Sequence, residues 1–285
     1  MAGGATPFEA LGRGGNVLRG ERVGEGPVLI QTHGLTATRR YVTHGSRHLE
    51  RNGFQVVSYD ARGHGESDPA PDGEGYSYEA LAEDLGAVIA SVAGKGRVVL
   101  AGHSMGAHTA TAFALRDPER IAGLVAIGPA SLGEEPSDES KAYWDHLAEG
   151  LARDGVDGFI DAYDDGGHNP EWRETVLRLA RQRLELHAHP DALAQALREV
   201  PRSVPFSGPE AIEDLALPTL VVASRDDADS GHPYAIGAEW AERIPDATLT
   251  VEDEGESPLA WQGGKLSRAI EEFCDRDAVR ARLDA

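Results

Sequence analysis

Short runs of β-branched and apolar residues, each closed by Gly, Asp or Pro, recur along the chain at residues 28–32, 54–59, 97–101, 124–127, 220–223 and 248–251. Runs this short, apolar throughout and bounded by turn residues, predict strands buried on both faces. Amphipathic stretches at 78–92, 107–115, 234–243 and 265–273 alternate with them and predict helices. Strand and helix in alternation predict an α/β fold, a mostly parallel sheet flanked by helices. The alternation breaks once, between Pro129 and Pro218, where helical patterns follow one another at 141–153, 156–162, 171–187 and 191–199. This block predicts a helical cap inserted between two strands and lying over the strand ends, where open sheets of this class bind ligands.

Composition narrows the picture. The 285 residues carry 27 Lys+Arg against 48 Asp+Glu, a formal charge of -21. That balance disfavours nucleic acid and anionic membranes as partners, since both call for clustered cations. Small-molecule chemistry fits better, and a homo-oligomer is compatible with the chain. Cys274 is the single cysteine, so no intramolecular disulfide is expected. Residues 1–7 lack the charged and apolar regions of a secretion signal, and no apolar run is long enough to span a bilayer, so a cytoplasmic location is expected. No cofactor is implied. Asp164-Asp165-Gly166-Gly167-His168 offers ligand types without a second cluster, so no metal is expected, and the glycine clusters at 12–15 and 24–26 read as hairpin turns rather than phosphate loops. Tyr143, Trp144, Phe159, Tyr163 and Trp172 fall in the inserted block and read first as its core, with a hydrophobic or aromatic substrate group as a further hint.

The chemistry concentrates in Gly102-His103-Ser104-Met105-Gly106, a G-x-S-x-G sequence between an expected strand and an expected helix. Small residues on both sides allow the sharp turn that lifts a serine hydroxyl out of a strand end, and the Met105 N–H at the helix start faces a developing oxyanion. His33-Gly34-Leu35 ends the first buried strand, and a turn at the glycine makes the Leu35 N–H the second oxyanion donor. His33 itself, and His64 in the turn 60–67, read as hydrogen-bonded structural residues.

With these pieces in this order the chain resembles the α/β-hydrolase fold superfamily, near its small esterase, lactonase and non-haem peroxidase branch. The resemblance covers about residues 15 to 130 and 212 to 274, and the inserted block matches in position only. It implies a hydrolase core of residues 1–130 and 212–285 with a cap at 131–211. It also implies a catalytic carboxylate after the strand that follows the cap, which falls on Asp227, with Asp226 and Asp229 as near misses. Where the family carries Gly-His-Ser-Pro, this chain carries Gly255-Glu256-Ser257-Pro258, and no histidine follows His232.

Glu256 thus stands in the place of the base. A carboxylate is a weaker base than an imidazole by about 2 pKa units, or roughly 3 kcal/mol of driving force. The leading expectation is a serine-nucleophile hydrolase of a small ester or lactone with an atypical Ser104-Glu256-Asp227 constellation. One variant recruits His232, or more weakly His168, as the base. The alternatives are a binding or sensing protein that has lost turnover, and a lyase-type enzyme on the same fold.

Overall fold

The computed structural model describes residues 4–164, 170–225 and 231–285. Eight strands, β1 (Thr6–Leu11), β2 (Val17–Val23), β3 (Val28–Thr32), β4 (Gln55–Tyr59), β5 (Val98–His103), β6 (Ile121–Ile127), β7 (Thr219–Ala223) and β8 (Ala247–Val251), form one sheet in the order β1-β2-β4-β3-β5-β6-β7-β8. β1 and β2 are antiparallel, β2 meets β4 antiparallel, and every pair from β4 to β8 is parallel. The helices are α1 (His48–Arg51), α2 (Tyr78–Ala93), α3 (Met105–Arg116), α4 (Asp138–Tyr163), α5 (Arg173–Leu184), α6 (Pro190–Glu199), α7 (Glu210–Glu213), α8 (Tyr234–Arg243), α9 (Gly263–Cys274) and α10 (Asp277–Leu283).

The central strands are fully buried: all seven residues of β6, and Val98 to Gly102 of β5, are closed to solvent. Helices cover both faces. Leu85, Val88, Ile89, Ala110 and Phe113 of α2 and α3 pack on one face, and Leu266, Ile270 and Phe273 of α9 on the other. The chain leaves β3 toward β4 on one side and returns to β5 on the other, so the order of the sheet reverses between β3 and β5. A crevice opens at such a reversal, beyond the carboxyl ends of the two strands.

Four of the helices, α4 to α7, lie between β6 and β7. α4 is two helical arms meeting at a corner: Asp154 and Gly155 leave helical geometry, Gly155 at φ 64°. The arms cross so tightly that a Cβ on Gly150 would sit 2.3 Å from the carbonyl oxygen of Gly158. This is why the sequence pattern breaks near 154–155. Leu147, Leu151, Phe159, Ala180, Leu184, Leu193 and Leu197 form the core of this block, and that core continues into Leu35 and Met105. Phe206 and Ile212 pack with the sheet instead.

Two expectations change. Residues 6–11 and 17–23, not anticipated as strands, pair Leu11 with Val17 around the glycine turn 12–15, so a hairpin does sit there. The second glycine cluster, 24–26, joins β2 to β3, which are not neighbours; β2 pairs with β4, and this turn closes no hairpin.

Candidate active site

Ser104 follows β5 and precedes α3 with φ 53° and ψ −115°, one of two non-glycine residues with positive φ among the described residues. That conformation is strained for a residue bearing a Cβ and survives only where surrounding structure enforces it. The enforcement is steric. A Cβ on Gly106 would lie 2.1 Å from the carbonyl oxygen of Thr32, and one on Gly102 would lie 2.3 Å from that of Gly106. Both glycines are therefore required for the elbow to close against β3. The turn is further held by the Ser104 N–H, which donates to the Ile127 oxygen at 2.9 Å, and by the Thr32 hydroxyl, which donates to the Gly106 oxygen at 3.0 Å. Met105 opens α3, so its N–H has no partner one turn earlier in the helix.

The turn after β3 completes the other half. The Gly34 oxygen accepts from His33 Nδ1 at 2.8 Å and from the Ala37 N–H at 3.0 Å. Because a trans peptide aims its carbonyl and N–H in opposite directions, holding that oxygen also holds the Leu35 N–H. Gly34 approaches Ser104 closely: a Cβ there would lie 3.4 Å from Ser104 Cβ and 3.1 Å from His103 Nδ1. Behind this turn a void of about 10 Å³, lined by Thr32, His33, Met105 and Thr109 among others, has room for roughly one water.

His33 and His64 are structural in geometry, as expected. His33 Nε2 accepts from the Ala61 N–H at 3.0 Å, so the ring is a fixed neutral tautomer, and burial pushes its pKa down to about 3. His64 lies between the oxygens of Arg62 and Leu35, 2.8 Å from each. The fold adds His187, between α5 and α6, whose ring centroid lies 5.6 Å from that of His64. Its Nδ1 accepts from the Gly65 N–H at 3.0 Å, and burial lowers its pKa to about 3. The inserted block is thus tied to the turn after β4, a link that chain order does not reveal.

Among the sequence candidates for base and acid, Asp227 lies outside the described residues, as do Asp226, Asp229 and His168. Glu256 lies in an exposed loop after β8, where its carboxylate is paired with Lys265 Nζ. The hydrogen bond from Lys265 lowers the Glu256 pKa, which weakens it as a proton acceptor. His232 sits elsewhere: its ring packs over the Gly128 backbone and lies 5.0 Å, centroid to centroid, from that of His103. His103 and His108 were not singled out in the sequence. His108, one turn into α3, is buried, with Nδ1 3.0 Å from the Ser104 oxygen and Nε2 3.2 Å from that of Ser131. Among the described residues no group of three or more His, Cys, Asp or Glu side chains is arranged to hold a metal ion.

A sequence profile described as alpha/beta hydrolase fold matches residues 27–262. The chain belongs to the α/β-hydrolase fold family. One relative of this α/β hydrolase, 2-hydroxy-6-oxononadienedioate/2-hydroxy-6-oxononatrienedioate hydrolase 2 of Pseudomonas putida, is 30% identical over 80% of the chain and 81% of its own length. A thermophilic esterase from Thermogutta terrifontis superposes with a TM-score of 0.77 at 27% identity, covering 98% of the chain and 100% of the esterase. An enol-lactonase from Burkholderia xenovorans shares the fold with a TM-score of 0.74 at 21% identity, covering 94% and 100%. The α/β hydrolase therefore stands among hydrolases and esterases. No helix among its described residues is long and apolar enough to cross a membrane.

Proposed function

We propose that this α/β hydrolase cleaves a small ester or lactone through an acyl-enzyme on Ser104, with the N–H groups of Leu35 and Met105 as oxyanion donors and Asp227 as the catalytic carboxylate. The observation that carries the reading is the backbone of Ser104, held at positive φ by two glycines that admit no side chain. Strain maintained at such cost fits a hydroxyl that must be presented to substrate. The Leu35 peptide, fixed through the Gly34 oxygen and close to Ser104, fits the second donor. A cap at residues 131–211 supplies substrate walls, since its core runs into the side chains of Leu35 and Met105.

A Ser104-Glu256-Asp227 constellation asks Glu256 to leave Lys265 before it takes a proton. That pairing favours a second reading, a protein that keeps the pocket and has lost turnover. Steady-state hydrolysis of p-nitrophenyl acetate, p-nitrophenyl butyrate and a γ-lactone from pH 5 to 9 separates the two. The hydrolase reading expects saturable turnover that Ser104→Ala lowers by about 10³-fold or more. Turnover in Ser104→Ala equal to that of the parent, or none in the parent, refutes it.

A further inference from the structure

We propose that His232 is the general base for Ser104, supplied by the segment after β7 in place of the segment after β8; the assignment rests on the serine-hydrolase reading above. Three observations place the imidazole against the neighbours of Ser104. The first is through β6. The Ile127 oxygen accepts from the Ser104 N–H, and the next residue, Gly128, is the floor on which the His232 ring rests. A Cβ on Gly128 would stand 3.3 Å from His232 Cγ and 3.5 Å from Cδ2, so a glycine here leaves the ring its place. The second contact is through β5, where the ring of His103, the residue before the nucleophile, faces that of His232 at 58°. The third is electrostatic: His232 is among the groups that lower the pKa of His108, whose ring touches the Ser104 carbonyl. The residue after Ser104's carbonyl partner, the residue before Ser104 and the histidine one turn after it are thus each in contact with, or electrostatically coupled to, His232.

His33 and His108 are 2% exposed, and both nitrogens of each are engaged by the backbone. Ser104 and His232 are both part-exposed, as groups meeting a substrate must be. Glu252 Oε1 accepts from the Arg225 N–H at 2.6 Å, and the Arg225 guanidinium lies 4.5 Å over the Tyr234 ring. Among the described residues, the titratable groups shown to interact with the imidazole are His103 from β5 and His108 from α3.

In the step assigned to it, one ring nitrogen of His232 takes the proton of the Ser104 hydroxyl as Oγ bonds to the substrate carbonyl carbon. The carbonyl π pair moves to the oxygen held by the two N–H groups. Collapse expels the alcohol oxygen, which leaves with the imidazolium proton. Water then attacks the acyl-serine, gives a proton to the imidazole, and releases the acid as that proton returns to Oγ.

The test is kcat and KM against pH for p-nitrophenyl butyrate with the parent, His232→Gln, His232→Ala, Glu256→Gln and Ser104→Ala proteins, each checked for an unchanged circular dichroism melt. The assignment expects kcat to fall by about 10²- to 10⁴-fold in both His232 variants with KM nearly unchanged. It also expects added imidazole to restore part of the rate of His232→Ala. A merely structural role for His232 gives none of that rescue and overturns the assignment. Parental kcat in His232→Gln, with Glu256→Gln inactive, overturns it and returns the role to Glu256. Ser104→Ala as fast as the parent overturns the serine-hydrolase reading itself, a result distinguishable from either.

Discussion

At the scale of single residues, geometry around Ser104 is set by what glycines leave out. Gly106 is the sharpest case, because the atom in the way of a Cβ is a main-chain oxygen of β3 that no rotamer change can move. Gly106→Ala is expected to lower unfolding free energy by about 3 kcal/mol, the upper end of the usual cost of overpacking, measured as a fall in the urea midpoint at constant m. An unchanged midpoint shows that the elbow closes without that contact. The glycine-flanked elbow at Ser104 and the turn at Gly34 were legible in the chain because each is encoded within five residues of local sequence. The position of His232 was not. Its contacts, Gly128 and His103, are more than a hundred residues away and meet it only once β5, β6 and β7 lie side by side.

At the scale of elements, the inserted helices dock on the core through backbone as well as apolar contacts. The Ala188 N–H donates to the Gly65 oxygen at 2.8 Å, and the Gly65 N–H donates to His187 Nδ1. Removing that imidazole leaves a buried donor without an acceptor, which costs about 1–3 kcal/mol. His187→Ala is therefore expected to loosen this docking first, seen as faster amide exchange at residues 185–199 than in β5 and β6. Uniform loss of protection across the sheet contradicts a local tie. The buried parallel strands and long helices were readable from pattern because each carries a continuous apolar run or stripe. β1 and β2 were not, since Glu9, Arg19, Glu21 and Arg22 interrupt their hydrophobicity; at a sheet edge only one face need be apolar.

For the whole molecule, His33 and His187 link stability to pH. Both are held neutral in the fold with pKa lowered to about 3, against 6.5 for an exposed imidazole. Between those values the unfolded chain binds protons that the native state refuses. Their contribution is thus complete above pH 6.5 and is lost as pH falls toward 3, on the order of 5 kcal/mol for each buried ring at the limit. Urea midpoints should decline steadily from pH 7 to 4, and the decline should be shallower by about one bound proton in His187→Ala. Equal slopes in the two proteins refute the linkage. Sheet order and the reversal between β3 and β5 follow from connection rules, whereas the docking of the inserted helices depends on side chains distant in sequence. The corner in α4 has a broader consequence. Its shape rests on Gly150, Gly155 and Gly158, none of which offers a side chain to a ligand. The corner is thereby encoded at positions that carry no side chain, so an exposed residue on those arms such as Tyr143 can change while the frame that carries it stays as it is.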